Sequence, residues 1–224
     1  MSLLLDNAIS SIRVGAQDFE ANTGDRDLSA LRNIYAGILL LFKEKLRQQS
    51  PVDSLELFVK ARTGLKVIED GRVVPVGKGK KTVNVYQILD HFETLSIEID
   101  KIRFEHLTKL RNEIEHYYTE KTRAVIQNAL NDAFVIIRDF ITVQLENEPV
   151  NVLGQEAWRV LLLNSEIFEL ENRECKEQWE KSSVLNHETI RVLLNGSCPS
   201  CHSTLTVPND IDNRDIYTLS LIHI

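Results

Sequence analysis

Apolar residues recur along most of this chain at the three-and-four spacing of a helix face. A first amphipathic stretch covers 3–19; Asn22-Thr23-Gly24-Asp25 breaks it, and Asp27 is placed to cap the next helix. Leu31, Ile34, Tyr35, Ile38, Leu39, Phe42 and Leu46 form the stripe of a long second helix. It must end before Pro51, because proline lacks the amide hydrogen that a helix interior needs. The pattern changes at about 65–82. There Val67, Ile68, Val73 and Val74 flank Asp70-Gly71, a pair suited to a tight turn, so a small two-stranded insertion is predicted. Helical spacing resumes near Val85 and predicts two long helices, at about 99–118 and 122–145. In the second, Ile126, Leu130, Ala133, Ile137, Phe140 and Ile141 share one stripe. Pro149 and Gly154 separate these from a further helix at about 155–181. A short helix near 187–194 then runs into Asn195-Gly196-Ser197-Cys198-Pro199-Ser200-Cys201.

The fold class that follows is mainly α: an up-and-down helical bundle over 1–149 with a β-hairpin insertion at about 65–82. A helical extension at 150–195 and a small cysteine-bearing segment at 196–218 complete the expected organisation. The last six residues, Leu219-Ser220-Leu221-Ile222-His223-Ile224, match what a transposon-end sequencing adapter encodes when read through in frame. A genuine strand is the alternative. We take the adapter reading, which implies a truncated gene and removes these residues from fold reasoning.

Composition narrows the classes. A length of 224 residues with 43% apolar content supports one sizeable core and a small appendage. A formal charge of −7 argues against coating long stretches of nucleic acid, though a local basic site is compatible with it. The start, Met1-Ser2-Leu3-Leu4-Leu5-Asp6, lacks the basic opening and apolar length of a secretory signal. The longest apolar run, 34–42, is about half of what a bilayer crossing requires, so no membrane association is expected. Three cysteines, two of them in one C-x-x-C, suit a reducing cytoplasm.

The most informative stretch is Leu110-Arg111-Asn112-Glu113-Ile114-Glu115-His116-Tyr117-Tyr118. At about 100° per residue, Leu107, Leu110, Ile114, Tyr117 and Tyr118 fall on one side of a helix. Arg111 borders that arc, and Asn112 and His116 stack one turn apart on its other flank. A second copy of the helix facing that edge would complete a site. These residue types suit RNA cleavage. An imidazole can take a proton from a ribose 2′-hydroxyl or return one to the leaving 5′-oxygen. A guanidinium binds phosphate through two parallel hydrogen bonds and stabilises charge building on it, and an asparagine can orient either partner. An ordinary solvated helix face is the alternative, with Glu113 and Glu115 paired to bases such as Lys109.

Two further features carry chemistry. Seven bases (Lys60, Arg62, Lys66, Arg72, Lys78, Lys80, Lys81) face two acids, Glu69 and Asp70, between residues 60 and 81. Lys78, Lys80 and Lys81 are candidate RNA contacts, with Gly77 and Gly79 permitting close approach of backbone to phosphate. A solvated hairpin tip is the alternative, and the P-loop spacing is absent. Cys198 and Cys201 supply half of a tetrahedral zinc site. Cys175 and His202 lack fitting spacing, so the missing ligands are expected beyond the truncation, giving a structural zinc in the full-length protein. A pair of ordinary thiols is the alternative.

Arg111-Asn112, then His116 and Tyr118, resembles the R-x4-6-H motif of the HEPN superfamily, in the R-x4-H-x-Y form seen in HEPN toxins. Those toxins are paired with minimal nucleotidyltransferase antitoxins. The resemblance covers about 28–145; the hairpin insertion and everything after Pro149 depart from compact HEPN toxins. It implies an all-α bundle and a homodimer that places two motifs at one cleft. It also implies metal-independent RNA cleavage, with no cofactor for catalysis, giving a 2′,3′-cyclic phosphate and a 5′-hydroxyl. Arg111, Asn112, His116 and Tyr118 are then the catalytic set. Toxin–antitoxin or antiviral defence roles follow, with a cognate antitoxin or regulatory protein as partner. The alternative that the same family implies is a non-catalytic module binding nucleotide or a partner.

Overall fold

In the computed structural model, residues 2–116, 122–181, 206–207 and 222–223 are described. Among them the helices are α1 Leu3–Glu20, α2 Gly24–Gln49, α3 Val85–Thr94, α4 Lys101–His116, α5 Arg123–Asp139, α6 Pro149–Leu153, α7 Gln155–Leu161 and α8 Ser165–Lys181. The strands are β1 Lys60–Val67, β2 Val73–Thr82, β3 Thr206–Val207 and β4 Ile222–His223, paired antiparallel as β1–β2 and β3–β4. The protein is therefore mainly helical with a small antiparallel insertion. Met1–Leu161 form one compact unit and Leu162–Ile224 another. Among the described residues no helix is long and apolar enough to cross a membrane.

In the first unit, α2 is the central element and packs against α1, α3, α4 and α5. Ser2 starts α1 by accepting a hydrogen bond from the Leu5 amide at 3.1 Å. The chain then turns back through Asn22, whose φ of 56° is the left-handed conformation that asparagine tolerates. Two glycines let α1 and α2 approach closely. A Cβ on Gly15 would sit 2.6 Å from the Ile34 side chain, and one on Gly37 would sit 2.5 Å from that of Ile12. Nothing in the hydrophobic spacing announces this contact.

Asp27, expected as a cap, is not one. Thr23 occupies the cap position, and Asp27 lies fully buried in the first turn of α2. Its carboxylate accepts from Arg123 Nε of α5 at 2.5 Å. Burial of the carboxylate demands a cation, and that cation comes from 96 residues away.

The predicted stripe of α2 is buried as expected except at Leu39, which is half-buried. Its key member is Phe42, whose ring meets Phe92 of α3 at 5.1 Å, Phe104 of α4 at 5.1 Å and Phe140 at 4.7 Å. Phe104 in turn stacks with Tyr35 at 6.1 Å. The aromatic core thus runs from the end of α5 up to the middle of α4.

Three boundaries differ from the sequence reading. The hairpin begins at Lys60 rather than near 65, because its strands carry glycines and exposed bases that break a clean alternation. The helix expected over 122–145 widens after α5 into a π turn at Phe140–Gln144, where Leu145 N bonds Phe140 O at 3.1 Å. The helix expected over 155–181 is two, α7 and α8; Asn164 Oδ1 accepts from the Ile167 amide at 3.2 Å and starts the second.

Candidate functional site

α4 carries the Arg-Asn-His motif, and its packing decides which side chains it offers. Phe104, Leu107 and Leu110 are buried, which fixes the rotation of the helix about its axis. Ile114, expected with them, is only half-buried; it lies one turn past Leu110, the last fully packed position. Arg111 follows Leu110 at the border of that buried face, half-buried, while Asn112 is exposed.

Three contacts join this border to α2. Tyr35 Oη donates to Thr108 Oγ1 at 3.3 Å, Arg111 Cζ lies 5.5 Å from the centroid of the Tyr35 ring, and Arg32 Nε donates to Glu115 Oε1 at 2.7 Å. Thr108, Arg111 and Glu115 thus meet Tyr35 and Arg32 along one seam. Arg111 Nη1 also donates to Asn112 Oδ1 at 3.2 Å. Among the described residues no carboxylate pairs with Arg111, whereas Arg26, Arg32, Arg47 and Arg123 each hold one. Its guanidinium is steadied by a ring face and a neutral amide.

Arg111 and Asn112 line an open groove of about 1090 Å³ between α2, α3 and α4. Ala36 and Leu39 of α2 form its floor, Val85, Tyr86 and Leu89 of α3 one wall, and α4 the other. The α4 side also carries Lys109 and the carboxylates Glu105, Glu113 and Glu115, so the groove is not a basic channel.

The other expected site residues stand as follows. His116 closes α4, but its side chain and the whole of Tyr118 lie outside the described residues, as do Cys198 and Cys201. Cys175 is buried within α8. Among the described residues no cluster of three or more His, Cys, Asp or Glu side chains could hold a metal ion. Lys78, Lys80 and Lys81 are exposed on β2 and do not line the groove that holds Arg111. Lys78 lies opposite Arg62 across the strands, and a register shift follows between there and the Lys60–Thr82 pair. Gly77 is not open to a phosphate: its amide donates to Ser54 O at 2.7 Å, and a Cβ there would run into the Leu55 carbonyl. Gly79 keeps the freedom expected of it, with φ 80° and open space around it.

Arg32, Tyr35, Thr108 and Tyr86 were not among the expected site residues. Tyr35 reads as a core position on its own helix, and Arg32 lies off that stripe. Only the packing of α2 against α4 brings them to the motif.

No protein-family model matches this chain, and neither does any curated protein or solved structure.

Proposed function

We propose that this chain is a HEPN-type endoribonuclease that acts as a dimer in toxin or defence biology. The reading is carried by Arg111, a guanidinium without a carboxylate partner among the described residues, seated at a groove rim beside the exposed Asn112, which lies one helical turn before His116. A substrate phosphate would take two hydrogen bonds from the Arg111 fork. His116 would accept the proton of the ribose 2′-hydroxyl or return one to the leaving oxygen. The 2′-oxygen attacks phosphorus, the bond to the 5′-oxygen breaks, and the products are a 2′,3′-cyclic phosphate and a 5′-hydroxyl. Tyr118 and a second copy of the motif would complete the cleft. The reaction needs no nucleophile other than the one the RNA supplies.

The second reading is a non-catalytic HEPN module that binds nucleotide or a protein partner, and of these the carboxylates Glu105, Glu113 and Glu115 on the same wall favour a protein partner with a basic surface. One experiment separates the two. Wild type, Arg111→Ala and His116→Ala are incubated with transfer RNA, with total RNA and with an all-deoxy strand, in excess chelator. Cleavage by wild type that either substitution reduces about 100-fold or more is expected, with the deoxy strand intact. Equal cleavage by the His116 variant removes the nuclease reading.

A further inference from the structure

Tyr86 has no part in the cleavage chemistry, yet it is the most conspicuous side chain of the groove. It is 83% exposed, near the start of α3, and forms no hydrogen bond or ring contact among the described residues. Tyrosine usually buries its ring and ties its hydroxyl to a partner, so a bare ring on a groove wall offers a free π face. The groove is also asymmetric. Its α3 wall is apolar and aromatic, its floor offers Ala36 and Leu39, and its α4 wall holds Arg111, Asn112, Thr108 and Lys109 alongside the carboxylates Glu105, Glu113 and Glu115, of which Glu115 is paired with Arg32. A nucleotide, with a flat base at one end and an anionic phosphate at the other, matches it with its phosphate on the Arg111 guanidinium, which holds no carboxylate among the described residues.

We propose that the groove between α2, α3 and α4 is a nucleobase subsite, in which an unpaired base stacks on Tyr86 while its phosphate lies against the Arg111–Asn112 edge. This rests on the reading of α4 as an RNA-binding edge and adds the substrate class. A base held in a duplex is paired and stacked and cannot reach the α3 wall, so the substrate is single-stranded RNA or an unpaired loop. Stacking on one ring tolerates all four bases, so the subsite selects strandedness rather than sequence. Tyr86 is a binding residue here, and its exposure means that its loss leaves the bundle folded.

The test uses fluorescence anisotropy on the intact chain with a short labelled all-deoxy single strand, which cannot be cleaved, and with its duplex. Tyr86→Ala is expected to weaken single-strand binding about 5- to 100-fold and Tyr86→Phe by about twofold or less, while duplex binding is weaker and unchanged by either. In RNA cleavage the Tyr86→Ala defect should appear in KM and leave kcat near wild type. Single-strand binding by Tyr86→Ala equal to wild type overturns the subsite and leaves the nuclease reading intact. Tyr86-dependent binding by a wild type that cleaves nothing keeps the subsite and removes the nuclease reading. No binding of either strand by wild type overturns the proposal.

Discussion

At the scale of single residues, this molecule treats its buried charges in contrasting ways. Asp18 is 4% exposed and accepts from Arg26 at 2.6 Å, Ser29 at 2.5 Å and Asn33 at 3.3 Å. Burial alone would raise its pKa, but the bonds from Ser29 and Arg26, the Arg26 charge and Asn33 together hold it below the ordinary carboxylate value. Glu44 follows the same logic: burial pushes up, and Arg47, Ser2 and Gln48 bring it below the usual value. A carboxylate whose folded pKa is lowered contributes stability that is present above its unfolded pKa and is lost as pH falls through the folded one. Stability should therefore decline as pH drops through and below the ordinary carboxylate range. Asp18→Asn should lower the urea midpoint at neutral pH, and its deficit against wild type should shrink on acidification. A deficit that stays constant with pH would show that the Asp18 charge does not matter to folding. Arg111, half-buried, differs: among the described residues its guanidinium meets the Tyr35 ring and the Asn112 amide rather than a carboxylate.

At the scale of elements, the closest packing is where side chains are smallest. Gly37 faces Ile12 and the Ala8 carbonyl oxygen, which a Cβ would approach to 3.2 Å. Alanine normally favours a helix over glycine by about 1 kcal/mol. Here Gly37→Ala should instead destabilise by about 1–2 kcal/mol, because two helices must separate to admit one methyl group. Chemical denaturation gives the sign directly, and a gain in stability would contradict the packing. Along α4 the burial gradient gives a paired prediction. Leu107 is fully buried, so Leu107→Ala should cost about 2–5 kcal/mol, while the half-buried Ile114→Ala should cost roughly half as much. The hairpin is held differently. Lys43 Nζ donates to Thr82 Oγ1 at 3.0 Å, with burial drawing the ammonium pKa below that of a free lysine, and Val83 N bonds Val59 O at 2.9 Å. Its outer part carries Leu65, Val67 and Val73 in the open.

At the scale of the whole molecule, the proposed chemistry asks for more than one chain supplies. Arg111, Asn112 and His116 lie on one helix, and a cleft that holds an RNA backbone from both sides needs a second such edge. An isologous dimer that places α4 against its copy answers that need. Light scattering at micromolar concentration should give twice the chain mass. A monomer that cleaves RNA at full rate would exclude a composite site.

The sequence by itself determined the helical class, the C-terminal end of α2, the turn at Asp70-Gly71 and the rotation of α4 that buries Leu107 and Leu110. Each of these depends on periodicity, proline or a φ preference, all of which act within a few residues. It did not disclose the Asp27–Arg123 pair, the Gly15 and Gly37 contacts, the split of α7 from α8 or the occupation of Gly77. The setting of the motif was equally hidden. Tyr35 beneath Arg111 and Arg32 on Glu115 join residues 76 and 83 positions apart, by subtraction of their numbers. Periodicity tells a helix which face to bury. Which helix will cover it, and which polar groups that neighbour brings to the border, is decided only when the aromatic core around Phe42 packs and sets α2, α3 and α4 side by side.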